Sequence, residues 1–145
     1  IQLHLTGPLQ SNKVKLALSI FDVFHTLDRE KIAIEFSKHR DKITNKKFFI
    51  QVNTGREQNK SGVYPSYLSE FINFCRNDLS LTISGLMCIP PVIDDPKLHF
   101  KMLQELAETN SVKELSIGMS NDYQHALDFK PSYIRLGTIL FGKRN

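Results

Sequence analysis

The sequence predicts an α/β fold in which parallel strands alternate with helices. Apolar, β-rich runs alternate along the chain with segments whose apolar residues recur at helical spacing. Each helical segment is long enough to cross between parallel neighbours, which favours right-handed crossovers. Polar and Gly/Pro-rich residues collect after the strands, so we expect a ligand site at the carboxyl-terminal rim of the sheet.

Three strands are predicted in the first half of the chain. Two are the short runs Leu3–Thr6 and Phe21–Leu27. The third, Phe48–Asn53, is nearly continuously apolar, as expected for a parallel strand covered on both faces. A lysine-rich connection, Ser37–Lys47, precedes it. Apolar stripes predict two helices between the strands: Val14, Ala17, Leu18 and Phe21 in the first, and Ile32, Ala33 and Phe36 in the second.

The second half continues the same alternation. Thr54–Gly62 is a polar loop, and Leu81–Ile89 is a strand that ends at two prolines. The helix before this strand opens at Pro65, because proline suits the first helical turn, and Pro96 precedes the helix after the strand. Their apolar stripes are Leu68, Phe71, Ile72 and Cys75, and then Phe100, Leu103, Leu106 and Ala107. A strand from Glu114, a helix over residues 121–127 and a strand from Tyr133 complete the prediction.

The last two strands carry the main functional signal. Gly118, Met119 and Ser120 follow the first of them, and Gly137 and Thr138 follow the second. In a barrel of alternating strands and helices, the turns after the seventh and eighth strands commonly hold a phosphate, because unpaired N–H groups point outward there. We expect Ser120 to cap the following helix and to offer a hydroxyl. Gly137 allows close approach of a ligand, and Thr138 adds a donor.

Arg135 is a permanent cation inside an apolar strand, where an unpaired charge would be costly. Two interpretations are equally open at this point. The guanidinium faces a ligand, or it pairs with a carboxylate elsewhere in the core.

Composition favours one ordinary globular domain. The chain has 145 residues, 41% of them hydrophobic and 23% charged, whereas a complete eight-stranded barrel needs about 250. Its lysines are scattered despite a net charge of +4, so a solvated surface is a better interpretation than nucleic-acid binding. No apolar run approaches the roughly 20 residues of a membrane span, and no signal peptide is present, so we expect no membrane association.

Histidines and cysteines suggest neither a metal site nor a disulfide framework. His4, His25 and His125 have no cysteine or carboxylate partner at metal spacing, and each is more simply a packed or surface imidazole. Cys75 and Cys88 are expected to be reduced and buried, which points to the cytoplasm.

Seven short stretches form a pattern that runs in one order over essentially the whole chain. They are His4-Leu-Thr-Gly-Pro-Leu-Gln-Ser-Asn-Lys13, His25-Thr-Leu-Asp28, Ile50-Gln-Val-Asn53, Asn59-Lys-Ser-Gly62, Gly85-Leu-Met-Cys-Ile-Pro90, Leu115-Ser-Ile-Gly-Met-Ser-Asn-Asp122, and Ile134-Arg-Leu-Gly-Thr138 with Phe141-Gly142. Together they resemble the pyridoxal phosphate homeostasis proteins, also called YggS-type or proline synthetase co-transcribed proteins.

The resemblance implies a (β/α)8 TIM barrel of the alanine-racemase N-terminal type that binds pyridoxal 5′-phosphate and has no established catalysis. It places the phosphate near Ser120, Gly137 and Thr138, and Arg135 opposite the pyridine nitrogen. An arginine there keeps that nitrogen unprotonated, which weakens the ring as an electron sink and suits a carrier better than a catalyst. The implied partners are enzymes that receive the cofactor.

The same resemblance implies that Asn53 and Met87 flank the cofactor ring and that His4 lies at the rim. In the family, a lysine on the first strand holds the cofactor as a Schiff base. That strand and the next are missing from this sequence, and Lys13 and Lys60 fall in polar turns. We therefore expect residues 1–145 to form an incomplete barrel domain with about six of eight strands and non-covalent binding. Because two sheet edges would be exposed, a monomer and a dimer that covers an edge are both compatible with the sequence.

Two enzymatic alternatives also remain open. One is a racemase or decarboxylase that uses the same cofactor and barrel; such enzymes add a C-terminal β domain, for which this sequence leaves no room. The other is a barrel enzyme for a different phosphorylated ligand, with His4 or His25 as the base.

Overall fold

In the computed structural model, which describes residues 1–143, six parallel strands form one sheet. The strands pair in chain order, so the predicted alternation of strands and helices is confirmed. The strands are β1 (His4–Leu5), β2 (Val23–Leu27), β3 (Lys47–Gln51), β4 (Ile83–Met87), β5 (Glu114–Met119) and β6 (Tyr133–Arg135). The domain predicted for residues 1–145 includes Arg144 and Asn145, which lie outside the described residues.

Helices connect successive strands, and a last helix follows β6. They are α1 (Val14–Ile20), α2 (Glu30–Ser37), α3 (Arg40–Ile43), α4 (Leu68–Asn73), α5 (Pro96–Thr109), α6 (Tyr123–Ala126) and α7 (Thr138–Phe141). A turn of 3-10 helix precedes α1 and another precedes α4, and a turn of π-helix, Phe74–Asp78, extends α4. Within residues 1–143, no helix has both the length and the apolar character needed to cross a membrane.

Side chains of the sheet alternate between two faces. Helices cover one face, where they bury a large apolar core whose biggest side chains include Phe24, Phe36, Phe48, Phe71 and Phe100. On the other face, Val23, Phe49 and Met87 form a small cluster that packs against Tyr133. We call this second face the concave face.

The sheet is strongly curved. The rings of His4 in β1 and Tyr133 in β6 lie 5.0 Å apart between centroids, although these strands are the first and last in the sheet order. Side chains from the two outer strands therefore meet over the concave face. The predicted partial barrel is confirmed: the six strands form an open part of a (β/α)8 barrel.

Helix α5 begins at Pro96, the residue predicted to precede it, and its start offers a test of helix capping. Pro96 occupies the first helical position, and Asp95 Oδ1 accepts a hydrogen bond from the backbone N–H of Lys97 at 3.0 Å. Replacing Asp95 with alanine is expected to lower the free energy of unfolding by about 1 kcal/mol. Urea denaturation measures this loss. Glu108→Ala, at an exposed position of the same helix, is the matched control and should change stability by less than about 0.5 kcal/mol.

Candidate functional site

The carboxyl ends of β5 and β6 bring three of the predicted binding residues together. Ser120 follows β5, and its Oγ accepts hydrogen bonds from the backbone N–H groups of Gly137 at 3.3 Å and Ile139 at 3.2 Å. Thr138 lies between these two residues, begins α7 and is exposed. Two backbone donors thus converge on one oxygen position, an arrangement that also suits an oxygen of an anion.

The predicted capping role of Ser120 is wrong. Helix α6 begins at Tyr123, two residues later than predicted, and no side chain caps its first turn. Asp122 Oδ1 instead accepts a hydrogen bond from the backbone N–H of Met119 at 2.6 Å and closes the turn after β5. The hydroxyl of Ser120 is therefore free of the helix and faces the segment that follows β6.

Arg135 at the end of β6 is held by a serine and by backbone carbonyls. Its Nη1 donates to the backbone oxygen of Ser116 at 2.8 Å and to Ser116 Oγ at 2.7 Å, and its Nη2 donates to the carbonyl of Cys88 at 2.9 Å. These bonds use three of the five N–H groups of a guanidinium. Among the described residues no carboxylate pairs with Arg135, so the two remaining donors are available to an acceptor at the rim.

A hydrogen-bonded row of side chains continues from Arg135 across the concave face. Ser116 Oγ lies 2.8 Å from His25 Nδ1, and His25 Nε2 lies 2.9 Å from His4 Nδ1. His4 Nε2 in turn lies 3.2 Å from Gln2 Oε1. We call Gln2, His4, His25, Ser116 and Arg135 the histidine row. It joins the first strand of the sheet to the last.

The environment keeps the two imidazoles neutral. His25 is only 1% exposed, and burial, followed by the nearby His4 and Arg135, lowers its pKa to about 4. Burial also lowers the pKa of His4. The His25 ring stacks on Phe49 with a centroid separation of 4.8 Å, and Tyr133 packs edge-on against both histidines. Burial lowers the pKa of the Arg135 guanidinium as well, which still remains a cation at neutral pH.

The other predicted residues lie in different settings. Met87 at the end of β4 is fully buried on the concave face. Asn53 lies just after β3, where its Nδ2 donates to the carbonyl of Glu57 at 2.7 Å and its Oδ1 accepts from the N–H of Glu57 at 3.0 Å. The amide of Asn53 therefore closes the loop after β3. His4 lies in β1 within the histidine row.

The lysines have recognisable structural settings. Lys13 ends the 3-10 turn before α1, and Lys60 lies in the exposed loop after β3. Lys47 is on the concave face, but it begins β3 and thus lies at the opposite end of the strand from the rim. Its Nζ pairs with Glu114 at 2.8 Å, which raises the pKa of Lys47.

The two cysteines are free and buried, as predicted. Burial raises the pKa of each thiol to about 12, so neither is a reactive thiolate at neutral pH. Within residues 1–143, no three His, Cys, Asp or Glu side chains cluster in a way that could hold a metal ion.

Sequence reasoning missed the roles of His25 and Ser116. One signal was present in the sequence. A histidine and a serine inside buried, apolar strands need polar partners, and an arginine inside the last strand needs acceptors. Which of these groups meet depends on the curvature of the sheet, because His25 and Ser116 are 91 residues apart and not on neighbouring strands.

Comparison with known families gives a match over nearly the whole chain. The alanine racemase N-terminal domain family matches residues 2–145. The pyridoxal phosphate homeostasis protein of Vibrio cholerae is 37% identical over 100% of the chain and 65% of that protein. The protein of the same name from Aquifex aeolicus is 34% identical over 99% of the chain and 68% of that protein. The chain thus spans about two thirds of the length of these relatives.

Solved structures give the same picture. The structure of PipY from Synechococcus elongatus with pyridoxal phosphate bound superposes on this chain with a TM-score of 0.82 at 28% identity. The matched region covers 98% of this chain and 71% of PipY. An alanine racemase from Clostridium difficile superposes with a TM-score of 0.73 over 99% of this chain and 40% of its own. At 14% identity this second similarity concerns the fold alone.

Proposed function

Because the chain belongs to the family of pyridoxal phosphate homeostasis proteins, whose barrel is the alanine racemase N-terminal domain, we propose that it binds pyridoxal 5′-phosphate at the carboxyl-terminal rim of its sheet. The observation that carries the proposal is that the converging N–H groups of Gly137 and Ile139 lie at the same rim as the guanidinium of Arg135. We call these two N–H groups together with Ser120 the anion cradle. Ser120 lies at the centre of the cradle, and Arg135 ends the neighbouring strand.

The cradle suits the phosphate. The N–H groups of Gly137 and Ile139 point at one oxygen position, now taken by Ser120 Oγ, and that hydroxyl can donate its own proton to a phosphate oxygen. Thr138 supplies a further exposed hydroxyl between them. A charge-assisted hydrogen bond of this kind is about twice as strong as a neutral one.

Arg135 suits the pyridine nitrogen. A guanidinium carries donors only, so a nitrogen that accepts a hydrogen bond from it keeps its lone pair and stays unprotonated. Bound pyridoxal phosphate supplies an electron-poor ring, and an unprotonated ring withdraws electrons less strongly. We therefore propose a carrier of the cofactor without catalytic activity of its own. Met87 borders the ring in this proposal, and Asn53 holds the adjacent loop.

Partners and location follow from the same proposal. Reversible binding suits transfer of the cofactor to enzymes that depend on it. Within the described residues, the edge strands β1 and β6 each have one sheet neighbour, so a dimer that covers an edge is compatible with the fold. The two free, buried cysteines support the cytoplasm as the site of action.

Direct binding measurements test the proposal. We expect calorimetry to show saturable, weak binding of pyridoxal 5′-phosphate. Ser120→Ala should weaken this binding about tenfold, because a hydrogen bond to a charged group is lost. Pyridoxal, which lacks the phosphate, should bind more weakly to the wild type and should be insensitive to the substitution.

Two controls sharpen the measurement. Ser37→Ala removes a hydroxyl that bonds only the carbonyl of Ile34 in α2, and it should leave the affinity unchanged. Borohydride reduction followed by mass spectrometry should show no covalent adduct, because the concave-face lysine, Lys47, is at the wrong end of its strand. Equal affinities of Ser120→Ala and wild type would contradict the phosphate position, and an adduct would contradict non-covalent binding.

A further inference from the structure

We propose that Ser116 and His25 are positioning residues, which fix the guanidinium of Arg135 through a one-way series of hydrogen bonds. The contacts are those of the histidine row, from Arg135 at the rim to Gln2 before β1. The consequence for the ligand, an arginine held facing the pyridine nitrogen, rests on the proposed function. The series itself is a property of the protein without ligand.

The direction of the series follows from the donors of Arg135 and from the need of the buried Ser116 hydroxyl for an acceptor. Arg135 has donors only, so Ser116 Oγ must accept from it at 2.7 Å. At the other end, Gln2 Oε1 accepts, so His4 Nε2 carries a proton. A neutral His4 then has an acceptor at Nδ1, and His25 must donate to it from Nε2. His25 Nδ1 is left as an acceptor, and the hydroxyl of Ser116 supplies the proton.

This order satisfies every polar atom in the interior of the row. Ser116 is fully buried and His25 nearly so, and an unmade hydrogen bond would be costly at either position. In the reverse order, Ser116 Oγ would accept from both His25 and Arg135, and its own buried hydroxyl proton would have no acceptor in the row. Burial keeps both imidazoles neutral, as their lowered pKa values indicate. Neutral imidazoles are the state that the order requires.

The series supplies one of the three hydrogen bonds that hold Arg135, and two backbone carbonyls accept the others. Nη1 is held twice by Ser116, and Nη2 is held once by the carbonyl of Cys88. If Ser116 loses its hydroxyl, one anchor disappears and the side chain gains rotational freedom. The imidazole of His25 fixes the rotamer of that hydroxyl, and the stack on Phe49 fixes the imidazole. His25 therefore acts on Arg135 through Ser116.

Nuclear magnetic resonance of the ligand-free protein tests the series directly. We expect nitrogen–proton correlation spectra to show His25 and His4 as neutral Nε2–H tautomers. The Nη nitrogens of Arg135 should give separate, slowly exchanging signals in the wild type and averaged signals in Ser116→Ala. His25→Asn keeps an acceptor near the position of Nδ1 and should preserve the separate signals. His25→Phe keeps the ring stack without an acceptor and should lose them.

Binding of 4-deoxypyridoxine 5′-phosphate, which has no aldehyde and so cannot react with a lysine, tests the consequence for the ligand. Ser116→Ala and His25→Phe should weaken its binding about tenfold, and Arg135→Leu at least as much. The double variant with Ser116→Ala and Arg135→Leu should bind no more weakly than Arg135→Leu alone. A phosphate ester with a benzene ring should show no effect of Ser116→Ala. His125→Gln, at an exposed histidine, is the control.

The outcomes separate the two proposals. Nδ1–H tautomers, or Arg135 signals unchanged by Ser116→Ala, overturn the positioning role whatever the ligand does. Additive losses in the double variant overturn it too, because they show that the two residues act independently. If the wild type fails to bind the pyridine probe while the tautomers and signals are as expected, the proposed function is overturned and the positioning of Arg135 within the protein stands.

Discussion

Replacing Gly85 with alanine is expected to lower the free energy of unfolding by about 3 kcal/mol, at the upper end of typical overpacking losses. Gly85 lies in the middle of β4, and a Cβ atom there would be 2.2 Å from Cε1 of Phe49 and 2.5 Å from the carbonyl oxygen of Glu114. The first contact is with a buried ring and the second with backbone of the neighbouring strand. Neither can move without disturbing the sheet.

Chemical denaturation monitored by circular dichroism measures this loss. The matched control is Gly7→Ala, because nothing lies within 4 Å of a Cβ atom built at Gly7. Adding Phe49→Leu to the Gly85 variant should recover only part of the stability, since the carbonyl of Glu114 remains in place. If Gly85→Ala and Gly7→Ala were equally stable, the ring of Phe49 would not pack closely against Gly85.

Acidification is expected to cost about 3 kcal/mol of stability through His25 alone. The pKa of His25 is about 4 in the folded protein and 6.5 ordinarily. Above pH 6.5 the imidazole is neutral in both the folded and unfolded states, so it adds no pH dependence. Between pH 6.5 and 4 only the unfolded state takes up the proton, and the free energy of unfolding falls by about 1.4 kcal/mol per pH unit. Below pH 4 both states are protonated.

Urea denaturation of the wild type and His25→Asn at intervals from pH 7 to pH 4 isolates this contribution. The variant should be less stable at pH 7, because it loses the bond to His4. Its stability should fall less steeply than that of the wild type through the same pH window. The titratable groups that face His25, namely His4, Arg135 and Tyr133, are present in both proteins and affect both curves. Parallel curves would contradict a neutral, buried imidazole.

Much of the fold is predictable because its signals are local. The start of α5 follows from Pro96, and the apolar stripe that begins at Phe100 identifies the face of that helix. The strand predicted from Leu81 to Ile89 is real but shorter, Ile83–Met87. Leu81 is buried, yet its N–H bonds the carbonyl of Cys75 in the preceding helical segment rather than a neighbouring strand.

Short helices escape prediction because they contain little more than one turn. Arg40–Ile43 lies in a lysine-rich connection, and Thr138–Phe141 lies in a segment predicted as a polar turn. Four residues are too few to display a helical period. The partners of Ser120 are unpredictable for a related reason. Its own neighbours suggest a helix cap, whereas its hydrogen bonds come from amides contributed by the following strand–helix unit.

The proposed binding residues could be inferred from the sequence only as a set. The small and hydrogen-bonding residues after the last two strands indicated Ser120, Gly137 and Thr138. In the structure these residues lie close together, around Ser120 Oγ. The choice between a carboxylate and a ligand for Arg135 could not be made from spacing. Its acceptors are carbonyls and a serine hydroxyl brought near by sheet curvature, which no local pattern encodes.

Strand order has a consequence for the route by which this chain folds. Every pairing in the sheet joins sequence neighbours, so each new strand can dock as soon as the helix before it has formed, with a small loop to close at each step. The bond between His25 and Ser116 is different, since it spans 91 residues and skips the strands between. We therefore expect neighbouring strands to pair before the polar contacts across the concave face are completed.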